Sequence, residues 1–215
     1  MEKTVTRTAT FAIGAVTVLT SIMVIVLGWL PQAAVSGGVI PARFEGLEQL
    51  DALLPSTTLP AFLTPLSATL LHADFLHLGF NMLLLFWCGI GVERVLGKGP
   101  VVFLYVLGAY TAATAQVLVQ SDTFLPMIGA SGAVSALIGA FAVGFGKPRE
   151  ISKKDTLNRF LNGLWLFVVW VGIQWGFGFA SSGAGQNIAV AAHIGGFVAG
   201  LLAWRPLLIW RYRRA

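Results

Sequence analysis

Apolar residues gather along this chain into six long blocks separated by short polar segments. Block length, rather than any period within a block, sets the first reading. The first block covers residues 10 to 30, after a polar lead of residues 1 to 9 that carries Lys3 and Arg7. A helix of about 20 apolar residues crosses a bilayer. The block meets that length and exceeds the roughly 7 to 15 apolar residues of a secretory leader. Further spans are predicted over 75–94, 101–119, 131–146, 160–180 and 187–209. Asp74 suits the N-cap of the second span and Gly97 its end. Residues 31 to 66 form the longest segment between spans, and Pro31, Pro41, Pro55, Pro60 and Pro65 are expected to break any continuous helix there. Inside it Phe44, Leu47, Leu50, Leu53 and Leu54 alternate with Glu45, Glu48 and Asp51 at three- and four-residue spacing, the pattern of a short amphipathic helix at the interface. The fold class expected is therefore all-α membrane protein, a bundle of six transmembrane helices forming one domain over residues 1 to 215.

Composition agrees: 56% of residues are hydrophobic, 11% are charged and the mean hydropathy is +0.80, far from soluble averages. A net charge of +5 raises the question of nucleic acid, but the Lys and Arg sit in short segments between apolar blocks and form no basic face interleaved with aromatics, so no nucleic-acid partner is expected. Their distribution orients the chain instead. The ends and the loops after spans two and four hold Lys3, Arg7, Arg94, Lys98, Lys147, Arg149, Lys153, Lys154, Arg159, Arg205, Arg211, Arg213 and Arg214; the other three loops hold only Arg43. By the positive-inside rule both termini are cytoplasmic, residues 210 to 215 are a basic cytoplasmic tail, and residues 31 to 66 face outward. This predicts a multi-pass protein of the cell or inner membrane. The single cysteine, Cys88, lies within an apolar block, which excludes an internal disulfide and reads as a small buried hydrophobe.

Polar side chains within spans are costly and are candidates for function. All three histidines, His72, His77 and His193, lie at or just inside the outward ends of spans. His77 and Asn81 are four apart on one helix face, whereas His72 precedes the helix. Ser131 stands at the start of span four, whose sixteen or so residues give roughly 24 Å against a hydrocarbon thickness near 30 Å. Its outer end should lie below the membrane surface, and the connection over residues 121 to 130 must dip into the protein, which is tolerable only beside a wet cavity. Ser131, His193, His77 and Asn81 thus converge at one shallow depth, in a pocket open to the outside. A serine hydroxyl needs a base, and His193 is the available one. The helix start supplies free backbone N–H groups, and His77 and Asn81 can add donors for an oxyanion. Gly129 and Gly132 keep the space beside the hydroxyl clear. Gly196 and Gly200, four apart, face the small stripe Gly132, Ala136 and Ala140, which lets spans four and six approach closely.

These residues resemble the rhomboid family of intramembrane serine proteases. The resemblance covers residues 64 to 201 and rests on three pieces in order: His72-Ala73-Asp74-Phe75-Leu76-His77-Leu78-Gly79-Phe80-Asn81, Gly129-Ala130-Ser131-Gly132, and Ala192-His193-Ile194-Gly195-Gly196 continuing to Gly200. It implies a Ser131 nucleophile and a His193 base with no acidic third member, an oxyanion hole from His77, Asn81 and the Ser131 N–H, and no metal or cofactor. It also implies a membrane-embedded first loop, a short central helix starting at the nucleophile, and a structural glutamate in Glu93. Residues 181 to 186 would belong to a cap over the site, and the substrates would be single-span membrane proteins whose helices unwind near the outer face. Two departures stand out. Pro60-Ala61-Phe62-Leu63-Thr64 lacks the Trp-Arg pair of many members, and Ser135 occupies the place of an aromatic that often stacks on the catalytic histidine.

Other classes fit less well. The chain has no His-Glu-x-x-His helix for a metalloprotease. Asp74 and Asp122 sit only at span edges, which does not suit an aspartyl type. The shallow site argues against a transporter, whose sites lie near the midplane. The main alternative is a weakly active or inactive relative that binds transmembrane helices.

Overall fold

The computed structural model of the chain describes residues 8–45, 53–146, 153–182 and 189–213. Among these, the regular secondary structure is helical apart from one isolated antiparallel bridge between Val39 and Met127. We label the helices α1 (Ala9–Val26), α2 (Leu30–Gly37), α3 (Phe75–Leu96), α4 (Lys98–Val119), α5 (Ser131–Phe145), α6 (Asp155–Ser182) and α7 (Val190–Tyr212). The chain is an all-α integral membrane bundle. α1, α3, α4 and α7 are each long and apolar enough to cross a bilayer, while α5 and the apolar part of α6, Phe160–Gly172, are shorter. Four of the six expected spans therefore meet the length criterion, and the fourth is as short as its sequence implied.

The boundaries follow local chemistry. The Thr8 hydroxyl caps α1 by accepting from the Phe11 N–H at 3.1 Å. The Glu93 carboxylate, near the far end of α3, takes the N–H groups of Ala9 (2.8 Å) and Thr10 (2.9 Å) and the Thr10 hydroxyl (2.6 Å). A buried carboxylate thus sits at the positive end of a helix and satisfies two of its orphan donors. α1 stops four residues before the expected end of its apolar block because Gly28, at φ +68°, turns the chain into α2. Pro31, Pro41 and Pro65 do not simply interrupt helix, as expected from their type; each occupies the first turn of a short helical piece, where a missing N–H costs nothing. Asp74 caps α3 as expected, accepting from the His77 N–H at 2.7 Å. α3 contains a π turn at Leu85–Gly89 and ends at Gly97, φ +89°. The expected amphipathic helix over 44–54 falls largely on residues 46–52, outside the described residues.

α5 is the axis of the bundle. Eight of its residues, from Gly132 to Ala140, are buried, and glycine makes the contacts close. Gly108 of α4 lies against the Ala133 backbone and the Ala136 methyl. On the other side, Gly196 and Gly200 of α7 rest on the carbonyl oxygens of Gly132 and Ala136, and Gly139 faces the Phe197 carbonyl. The small stripe thus meets the glycine pair as the sequence pattern suggested. The segment leading into α5 is tied down from outside the bundle. Val39 and Met127 exchange both N–H···O bonds (2.9 and 2.7 Å), and the Ala42 N–H donates to the Thr123 carbonyl at 3.1 Å.

Candidate active site

Ser131 opens α5, where the first N–H groups have no partner within the helix. Its Oγ lies 2.7 Å from His193 Nε2, in the first turn of α7. The pair spans two helices and depends on their close approach, since a methyl at Gly196 would run into the Gly132 carbonyl oxygen. Gly129 holds φ +121°, a backbone shape that disfavours side chains, and a methyl there would also stand 2.9 Å from His77 Nε2 and 3.8 Å from Ser131 Oγ. His77 therefore reaches the turn before Ser131 from α3. The bare face of Gly132 receives the Ala112 methyl of α4.

His77 lies in the first turn of α3, and its Nδ1 accepts from the Ala73 N–H at 3.4 Å, which leaves the ring proton on Nε2, the nitrogen facing Gly129. Asn81, one turn deeper and buried, donates from Nδ2 to the His77 carbonyl at 2.9 Å, so one of its amide hydrogens is already used within its own helix. His72 lies off this face, fully buried, with Nε2 3.3 Å from the Ala130 N and Nδ1 2.9 Å from the Ser21 hydroxyl of α1. Burial, reinforced by neighbouring His77 and opposed by Asp74, pushes its pKa down to about 3. The His72 and His77 rings meet edge to face at 4.9 Å.

Ser135, standing where a ring was missed in the sequence, is buried and donates to the Ser131 carbonyl at 2.7 Å. The His193 helix is held from another direction. The Trp170 ring of α6 stacks on Phe197 (5.1 Å, 12°), and its Nε1–H donates to the His193 carbonyl at 3.3 Å. Sequence reasoning missed Trp170 and Ser21, because one tryptophan in an apolar block and one serine in a first span carry no spacing signal. Residues 183–188, which hold most of the expected cap segment, lie outside the described residues.

A hydroxyl in hydrogen-bond contact with an imidazole, beside the open start of a helix and a ring N–H, has the composition of an acyl-transfer site. Comparison with known proteins points the same way. The Rhomboid domain model matches residues 60–210. Over 141 residues, 66% of this chain and 24% of the relative, the chain is 33% identical to Rhomboid protease GluP of Bacillus subtilis. It is 31% identical to Rhomboid protease GlpG of Haemophilus influenzae over 140 residues, 64% of this chain and 65% of that one. It is 32% identical to RHOMBOID-like protein 4 of Arabidopsis thaliana over 146 residues, 67% of this chain and 34% of the relative. The chain spans less than two thirds of each of these relatives.

Proposed function

Because the chain belongs to the rhomboid family, we propose that it is an intramembrane serine endopeptidase working through a Ser131–His193 dyad. The observation that carries this reading is the 2.7 Å contact between Ser131 Oγ and His193 Nε2 at the start of α5. Ser131 Oγ attacks the scissile carbonyl carbon as its proton passes to His193 Nε2, which must therefore begin as the unprotonated nitrogen. The tetrahedral oxyanion is met by the Ser131 N–H, by His77 Nε2–H and by the second Asn81 amide hydrogen. Collapse breaks the C–N bond, and the leaving amine takes the proton from His193. Water, deprotonated by the same imidazole, then releases the acyl group and restores the hydroxyl.

The substrates on this reading are single-span membrane proteins entering from the bilayer. The Lys and Arg distribution supports cytoplasmic termini and a site open to the outer side. The deciding experiment compares wild type with Ser131→Ala and His193→Ala on a reconstituted single-span reporter protein. Wild type is expected to cut it and neither variant to do so. Cutting by Ser131→Ala at the wild-type rate overturns the dyad; binding of the reporter without cutting by wild type favours a helix-binding relative instead.

A further inference from the structure

We propose that His72 is a positioning residue for the nucleophile: locked into one tautomer by Ser21 of α1, it fixes the Ala130 peptide and, through it, the hydroxyl and N–H of Ser131. The proposal rests on the reading of Ser131 as the nucleophile and deepens it.

Proton bookkeeping determines the relay. The Ala130 N–H can only donate, so His72 Nε2, 3.3 Å away, presents its lone pair. The proton of the neutral ring is then on Nδ1, which donates to Ser21 Oγ at 2.9 Å. That leaves the Ser21 hydroxyl hydrogen for the Leu70 carbonyl, 2.8 Å away. Each donor meets one acceptor, and the opposite tautomer would set N–H against N–H. Both side chains are completely buried, so water cannot replace either bond.

The turn before the nucleophile has no other freedom to spare. The Gly129 N–H donates to the Ala68 carbonyl at 2.9 Å, and the Ala130 carbonyl accepts from the Val134 N–H at 2.9 Å. With Ala130 N–H held by His72, two successive N–H groups point back toward residues 68–72, and the next in line, those of Ser131 and Gly132, are the ones left for an oxyanion. The same His72 ring stands edge-on to His77, which rests against Gly129. Losing the Nε2 acceptor would leave a buried, unsatisfied N–H and let the turn rotate, moving hydroxyl and N–H together relative to His193. α1, which contributes nothing to the chemistry directly, thereby reaches the nucleophile.

The test is the rate and extent of labelling of the full chain by a fluorophosphonate probe, with Ser21→Ala and His72→Ala beside wild type. The endpoint counts folded sites; the rate per site reports how well hydroxyl and oxyanion donors are placed. Losing one buried hydrogen bond of ordinary strength slows a step about tenfold. Ser21→Ala is therefore expected to label about tenfold slower and His72→Ala slower still, each to the wild-type endpoint. A lowered endpoint with a wild-type rate per site means a merely structural residue and overturns the proposal. In histidine labelled with 15N, His72 Nε2 is expected as the unprotonated nitrogen in wild type; a protonated Nε2 overturns it as well. Failure of wild type to label, or labelling of Ser131→Ala, fails the nucleophile reading instead, and the 15N spectrum then decides the relay independently.

Discussion

Gly196→Ala puts a methyl group where the backbone of α5 already stands. The added carbon would collide with the Gly132 carbonyl oxygen and lie 3.3 Å from Ser135 Cβ, neither being the far end of a flexible side chain. α7 has to move away, by about 1 Å if ordinary contact is to be restored, and His193 is only three residues along the same helix. A shift of that size takes the 2.7 Å Ser131–His193 contact out of hydrogen-bond range. Overpacking of this kind costs about 1 to 3 kcal/mol of stability, whereas a misplacement of about 1 Å between reacting groups costs on the order of a hundredfold in rate. The variant is thus expected to remain folded while its turnover on a reconstituted single-span reporter falls about a hundredfold. Thermal unfolding in detergent run in parallel separates the two effects. Gly99→Ala, with no atom within 4 Å of the new carbon, is the matched control and should cut as wild type does. A Gly196→Ala protein that cuts within threefold of wild type would show that close approach of α7 does not place His193, and the reasoning would fail.

Two further outcomes follow from groups other than Ser131 and His193. Glu93→Gln keeps the shape but removes the negative charge facing the α1 N-terminus and one of its acceptor oxygens, and is expected to destabilise the protein by about 1 to 3 kcal/mol; denaturant unfolding checks this, and an unchanged midpoint would refute it. His72, held to about 3 in the fold against about 6.5 unfolded, refuses a proton that the unfolded chain accepts. Its contribution to stability is full above pH 6.5 and is lost as pH falls from about 6.5 toward about 3, by at most about 1.4 kcal/mol per pH unit. Unfolding measured across that window should be less steep in His72→Gln than in wild type.

What the sequence made legible was whatever leaves a periodic or compositional trace. Block length found four helices long and apolar enough to cross a bilayer, Asp74 announced the start of α3, and glycine spacing announced the α5–α7 contact, because backbones approach only where side chains are absent. The depth argument groups Ser131 with His193, and the two stand 2.7 Å apart. Less legible were contacts between side chains and remote backbone. Trp170 reaching the His193 carbonyl and Ser21 reaching His72 depend on how helices rotate about their axes, which an all-round apolar helix does not encode in its pattern. Gly28 escaped notice for a related reason: a glycine near the end of an apolar block looks the same whether it continues a helix or, at φ +68°, ends it. The packing of Gly132 against Ala112 of α4 is also hidden, since nothing local in a small-residue stripe says which neighbour it will meet.

Ser131 and His193 are 62 residues apart, on separate helices, with all of α6 between them. A ribosome therefore completes the hydroxyl's half of the site well before the imidazole's. During that interval the newly inserted helices α1 to α5 hold Ser131 without His193, the base that the proposed attack requires. Arrival of α7 joins the two halves, so that on this reading the order of synthesis does for the nascent chain what a removable propeptide does for a secreted protease.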